Sequence, residues 1–215
     1  MALVLSLQGG MAVGKTTAAR WLAAHEPRIR VLEEDISVPV AEVRRLGLDK
    51  HCFADYLTIQ RLFILNEITL WEAAQSFSCV VTDLGASEIE FYTLHYPASI
   101  GMDWPVAQAL APELAALRRC RAQHTLFLDA SPAVLCARKD ADTSRDRTFF
   151  DHSLTRLLPV KRHWFAAQPG TEFLTTDTLT PAQLCRAVHT WVLRCMAAPQ
   201  PKETGYGTDQ TESIG

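Results

Sequence analysis

What the chain lacks narrows its reading before any motif is considered. It has no run of 18 apolar residues, so no segment reads as a membrane-spanning helix. Its apolar start, Met1 to Leu7, has neither a basic n-region nor a small-residue cleavage site and reads as a buried strand. Net charge is scarce too: 21 Lys and Arg stand against 24 Asp and Glu, a formal charge of −3 with a pI near 6.2. That balance leaves no basic footprint for nucleic acid, and neither a DNA nor an RNA partner is expected. The 6 cysteines form no Cys-x-x-Cys pair and the 7 histidines no His-Glu-x-x-His, which argues against a zinc centre or a disulfide framework. Cys52, Cys79, Cys120, Cys136, Cys185 and Cys195 mostly have apolar neighbours, as buried thiols in a reducing cytoplasm would. No internal repeat and no Asn-Lys-x-Asp guanine signature occur. What remains is an ordinary globular chain of 215 residues, long enough to bury a core without metal or disulfide support.

The feature that is present is specific. Gly9-Gly10-Met11-Ala12-Val13-Gly14-Lys15-Thr16 is a complete G-x-x-x-x-G-K-[ST] phosphate loop, followed by Thr17. The apolar run Leu3 to Leu7 precedes it and a helical pattern follows, which is the strand, loop and helix context the motif requires. Gly9 and Gly14 let the backbone curl around phosphate with its N–H groups inward, above a helix N-terminus that favours an anion. Lys15 is placed to reach the β- and γ-phosphates of ATP, and Thr16 to ligate Mg²⁺.

Strand and helix signals alternate along the rest of the chain, predicting a three-layer α/β sandwich with helices on both faces of a mainly parallel sheet. Five strands are expected, at Leu3 to Leu7, Ile29 to Glu33, Ser78 to Asp83, His124 to Asp129 and Glu172 to Thr175. Ligands bind beyond the carboxyl ends of such strands, so Glu33, Glu34, Asp35, Asp83 and Asp129 should gather near the loop. The spacing of Tyr56, Ile59, Phe63 and Ile64 predicts a long helix over residues 53–77. Further helices are expected from Pro105 to about Cys120, from Pro132 after a Ser131 cap, and from the Asp177 to Pro181 region to near Met196. Residues 1–198 read as one domain and 199–215 as a disordered tail, rich in Pro, Gly, Thr and Gln.

A phosphate loop alone does not separate a kinase from a GTPase, a motor or a regulatory ATPase, but three polar clusters favour transfer to a small acceptor. Glu33-Glu34-Asp35 ends the second strand, where a carboxylate can take a proton from an acceptor hydroxyl; the plainer reading is a solvated acidic turn. Val80-Val81-Thr82-Asp83 carries an acid to a strand end, where it orients Mg²⁺ beside Thr16 or caps the next helix. The stretch Arg138 to Arg147, with Arg138, Arg145 and Arg147, reads either as a lid spreading the charge of a transferring phosphoryl group or as surface Arg–Asp pairs. On the helix behind Asp83, Glu88 and Tyr92 share a face at i and i+4, which would line an acceptor pocket or belong to the core.

Together these residues resemble the nucleoside and nucleotide kinase branch of the phosphate-loop proteins, and the deoxynucleoside kinases most. The resemblance implies a central strand order 2-3-1-4-5, a general base at Glu34, and a base-gripping Gln60 on the long helix. Asp83 matches the family's acid after the third strand, and Leu128-Asp129-Ala130-Ser131-Pro132 through Arg147 resembles its segment leading into an Arg-rich lid. Two positions depart from the pattern. Leu84-Gly85 stand where an Arg would follow the acid, and Asp35 stands where a proline would follow the base. Asp35 is then a second contender for the base, as in phosphate-loop kinases of small metabolites and antibiotics.

The resulting expectation is an ATP- and Mg²⁺-dependent kinase of a small molecule, foremost a nucleoside or nucleoside monophosphate. A sugar, antibiotic or other metabolite hydroxyl is the alternative acceptor, and a nucleotide-binding regulatory ATPase the alternative class. Trp71 and its apolar neighbours on the long helix would pack against the sheet or against a second copy in a homodimer.

Overall fold

The computed structural model describes residues 1–33, 35–142 and 149–198. Glu34, Arg145, Arg147 and the expected tail from 199 lie outside the described residues. The sheet is built from β1 (Leu3–Gly9), β2 (Arg30–Leu32), β3 (Cys79–Thr82), β4 (His124–Asp129) and β5 (Thr171–Thr175), all parallel, in the order β2-β3-β1-β4-β5. Each predicted strand is found within a residue or two of its expected ends. β1 is buried along its whole length, as a central parallel strand covered on both faces must be, and so reads as an almost unbroken apolar run.

The two faces of β1 bury different partners because side chains alternate along a strand. Leu3, Leu5 and Leu7 join the larger core with Ala18 and Leu22 of α1 (Lys15–His25) and Val188 and Trp191 of α10 (Pro181–Ala197). Ala2 and Val4 meet Val80 and, from α3 (Phe53–Ala74), Ala74 and Trp71. Trp71 therefore packs on the sheet, the first of the two arrangements its spacing allowed. A third apolar cluster joins α3 to α4 (Ala86–Ser99), α5 (Val106–Ala109) and α6 (Ala111–Arg118) through Tyr56, Ile64, Ile89, Leu110, Leu114 and Leu117.

Helix ends follow the expected chemistry in places and correct it in others. The Ser131 side chain caps α7 (Pro132–Ala141), accepting from the Val134 N–H at 3.4 Å, with Pro132 at the first helical position. Thr180 and Gln183 form a reciprocal capping box at the start of α10. The single helix expected from Pro105 to Cys120 is instead α5 and α6, interrupted at Leu110 because Pro112, in the first turn of α6, has no N–H with which to continue a helical ladder. α2 (Ser37–Leu46), closed by Gly47 in the left-handed region, lies where no helix was predicted. So do α8 (Phe150–His152), a π-helical turn at Ser153–Leu157 and α9 (Leu158–Ala166), which follow one another without a break.

Candidate active site

The phosphate loop is shaped by backbone conformations that its sequence permits. Gly9 has φ +138°, and a Cβ there would lie 2.2 Å from the Leu128 carbonyl oxygen; Gly14 has φ +108°, and a Cβ would lie 2.5 Å from Leu184 Cδ2. Both positions therefore need glycine. Ala12 sits in the left-handed region at φ 64°, completing the curl. α1 starts at Lys15 with no side-chain cap and no acid in its first turn, which leaves its first N–H groups and their dipole facing the loop. Lys15 folds back over it, its Nζ donating to the carbonyls of Gly9 at 3.3 Å and Gly10 at 3.2 Å.

Beside the loop, Thr16 Oγ1 donates to Asp83 Oδ2 at 2.8 Å. Asp83 is buried just past the end of β3, adjacent to β1, so the sheet register itself sets this pair. Gly85, not Asp83, precedes the first residue of α4, and Asp83 is free of the capping role considered for it. A threonine hydroxyl and one carboxylate are hard oxygen donors. They suit Mg²⁺, which keeps most of its shell as water and substrate phosphate.

A cleft of about 410 Å³ opens over the loop, with Arg138, Asp142, Leu179 and Pro181 forming its far wall. Gly10 to Thr17 and Asp83 line its floor. The Arg138 guanidinium is anchored: Nη1 donates to Val13 O at 3.3 Å and Thr176 Oγ1 at 3.0 Å, and Nη2 to Thr176 O at 2.6 Å. It therefore joins the phosphate loop to the turn after β5 and forms a fixed wall of the cleft.

A second cleft, of about 460 Å³, shares Met11 and Lys15 with the first and runs between α3 and α4. Its walls are largely aromatic and aliphatic, with Tyr56, Phe63, Tyr92, Tyr96 and Phe149 among them. The three residues predicted to face an acceptor, Gln60, Glu88 and Tyr92, all line it. Glu88 does so as half of a buried ion pair, its carboxylate oxygens 2.6 and 2.5 Å from Lys161 Nζ. Lys161 also donates to Gly9 O at 3.0 Å, linking α9, the phosphate loop and α4. Sequence reasoning missed Lys161, although a signal existed: Leu157, Lys161 and Phe165 recur at i, i+4 and i+8, placing the lysine on a buried helical face.

The other acids have different duties. Asp35 Oδ1 accepts from Ser37 N at 3.0 Å and Ser37 Oγ at 2.6 Å, and these bonds hold its carboxyl below the usual carboxylate range. Asp35 lines a small cavity behind the clefts, together with Glu33, which pairs with Arg20 at 3.0 Å. Asp129 bonds Arg162 at 2.8 Å and the Ala130 N–H at 2.9 Å. Of the acids expected at the loop, Asp83 reaches the nucleotide-sized cleft, whereas the carboxylates of Glu33, Asp35 and Asp129 are taken up by structural partners. Where the Arg after Asp83 was missing, the Leu84 carbonyl accepts from Ser6 Oγ at 2.8 Å and from Gln8 Nε2, and Leu84 lines the second cleft.

No family model and no curated protein matches the sequence. The chain is nonetheless similar in structure to a thymidylate kinase from Candida albicans, with a TM-score of 0.62 at 15% identity over 90% of this chain and 92% of that one. It is likewise similar to a deoxyadenosine kinase from M. mycoides, with a TM-score of 0.65 at 10% identity over 89% of this chain and 99% of that one. At these identities the likeness establishes the fold alone, which this chain shares with those two kinases.

Proposed function

We propose that the chain is a kinase that moves the γ-phosphoryl group of ATP, with Mg²⁺, onto a nucleoside or nucleoside monophosphate. The observation that carries this reading is the meeting of two clefts at Lys15, one floored by the phosphate loop and the other lined by aromatic rings and Gln60. A molecule that only hydrolysed ATP would have no use for a second cleft of that size opening onto the same lysine. The likeness to solved nucleoside and nucleotide kinases supports the choice of acceptor over a sugar or antibiotic.

In this reading the backbone N–H groups of residues 9–17 and the α1 N-terminus hold the triphosphate. Lys15 leaves its two carbonyl partners for the β- and γ-phosphate oxygens and follows the charge as it moves to the acceptor side. Thr16 and Asp83 would hold Mg²⁺, which neutralises phosphate charge when bound. Arg138, fixed by its carbonyl bonds, walls the nucleotide cleft, and Arg145 and Arg147 complete the lid. Gln60 and Tyr92 orient the acceptor so that its hydroxyl or phosphate oxygen lies in line with the γ-phosphorus, while Glu88, its carboxylate taken up by Lys161, supports the wall behind them. Of the two contenders for the base, Asp35 is committed to Ser37 and weakened by it, so we assign proton removal to Glu34.

The test is ADP release from ATP and Mg²⁺ across a panel of nucleosides, nucleoside monophosphates, sugars and aminoglycoside-like compounds, with Lys15→Ala as blank. Acceptor-dependent release by a nucleoside or its monophosphate, lost by a thousandfold or so in a folded Lys15→Ala protein, is the expected result. Release that ignores every acceptor would replace this reading with the regulatory ATPase. Release with sugars or antibiotics alone would move the acceptor class.

A further inference from the structure

Behind Gln60, outside the cleft and fully buried, lies Thr93 of α4. Its hydroxyl oxygen is 2.8 Å from Gln60 Oε1, whose place the other end of the amide, Nε2, takes on a half-turn, and 2.8 Å from the Ile89 carbonyl oxygen one turn back on the same helix. A hydroxyl has one proton to give, and the Ile89 carbonyl can only accept. If the amide turns its Oε1 to Thr93, two acceptors compete for that proton and one of them faces a bare oxygen lone pair. If it turns its Nε2 there, the hydroxyl donates to Ile89 and accepts from Gln60, and every group is satisfied. A buried site favours the second arrangement, because an unmet polar contact in a place without water is costly. The position of Gln60 is itself secured, since four residues away on α3 Tyr56 donates its hydroxyl to the Thr93 carbonyl at 3.0 Å.

We propose that Thr93 is a positioning residue for specificity: by accepting from Nε2 it fixes which way round the Gln60 amide faces the acceptor cleft. This inference rests on the nucleoside reading above and deepens it. The free edge of an amide is one acceptor beside one donor, and a half-turn exchanges their places. Nucleobases come in two matching kinds. Adenine and cytosine carry an exocyclic donor beside a ring-nitrogen acceptor, whereas thymine, uracil and guanine carry an exocyclic acceptor beside a ring N–H donor. An amide free to rotate serves both kinds; one locked by Thr93 serves one of them and sets like against like in the other.

The experiment compares kcat/KM for adenosine, cytidine, thymidine, uridine and guanosine, with their deoxy forms and monophosphates, in wild type, Thr93→Val, Thr93→Ser and Thr93→Ala. Wild type is expected to favour the amino or the keto bases as a class, by on the order of tenfold to a hundredfold. Thr93→Val keeps the volume but removes the hydroxyl, and should bring the two classes to within a few fold while leaving the ADP release supported by the preferred base measurable. Thr93→Ser should restore the wild-type ratio. Thr93→Ala removes the same hydroxyl by another route and decides the matter should the valine protein not fold. A class ratio that survives loss of the hydroxyl, or a wild type that uses both classes alike, overturns the proposal. A wild type that phosphorylates no nucleoside or nucleotide at all would instead overturn the acceptor assignment on which it stands.

Discussion

At the scale of single residues, the site is held by groups whose partners leave little room for change. Gly9→Ala places a methyl group 2.2 Å from a main-chain oxygen at φ +138°, and neither atom can move without breaking the β1–β4 pairing. We expect a loss of at least about 2 kcal/mol, read by denaturant unfolding, together with loss of ATP binding. The Lys161–Glu88 pair makes a different prediction. Both side chains are almost fully buried, so Lys161→Met strands a carboxylate and should cost about 3–5 kcal/mol, whereas the double change Lys161→Met, Glu88→Leu should recover most of it. A double variant no more stable than the single one would show that the pair contributes more than mutual neutralisation. Thr16 and Asp83 were legible in the sequence because a motif and a strand end fix their places. Lys161 and Thr93 were not, because each acts through a residue far away in the chain, 73 positions in one case and 33 in the other.

At the scale of elements, legibility followed periodicity and punctuation. The strands, α3, α7 and α10 were marked by apolar runs, a helical repeat and Ser-Pro or Thr-Pro starts. α2 was hidden by Pro39, which reads as a breaker and in fact occupies the first turn, where its missing N–H costs nothing. The acidic turn before α2 could not be resolved into roles, since which carboxylate accepts from Ser37 at the start of the helix depends on that helix being seen first. α3 contains one residue that its apolar spacing should exclude. Glu67 is 8% exposed, lies on the sheet-facing side with Trp71 and Cys120, and borders a cavity of about 30 Å³, room for one water. Burial raises its carboxyl from the ordinary 4.5 to about 7. The folded state therefore holds this proton more tightly than the unfolded one, so its stability is full below pH 4.5 and is lost as pH rises from there through 7. The shift corresponds to about 3 kcal/mol. Glu67→Gln should remove that slope and leave the protein more stable than wild type above pH 7, in urea unfolding measured from pH 4 to 9. An unchanged slope would assign it to other groups.

At the scale of the whole molecule, one arrangement joins the phosphate loop to everything around it. β1 is central, so its carboxyl end, where the loop begins, has β3 with Asp83 on one side and β4 on the other. α4 leaves β3 and forms one wall of the cleft lined by Gln60, and the turn between β5 and α10 forms the far wall of the cleft over the loop. The two clefts thus belong to different halves of the sheet and, among the described residues, share Met11 and Lys15, the tip and the cation of the loop. If phosphoryl groups pass through that junction, a compound joining adenosine to the acceptor nucleoside by a phosphate chain should occupy both clefts at once. Its second half would bind at an effective concentration in the millimolar range, so its affinity should exceed that of ATP by on the order of a hundredfold. The optimal chain has more phosphates than ATP, because it must cover donor, transferred group and acceptor oxygen together. Thermal unfolding with compounds of three to six phosphates would read this as a melting temperature that rises to a maximum with chain length, and Lys15→Ala should flatten the series. A shift that never exceeds that of ATP would mean that the clefts do not communicate through Lys15, and the acceptor site would have to be sought elsewhere on the molecule.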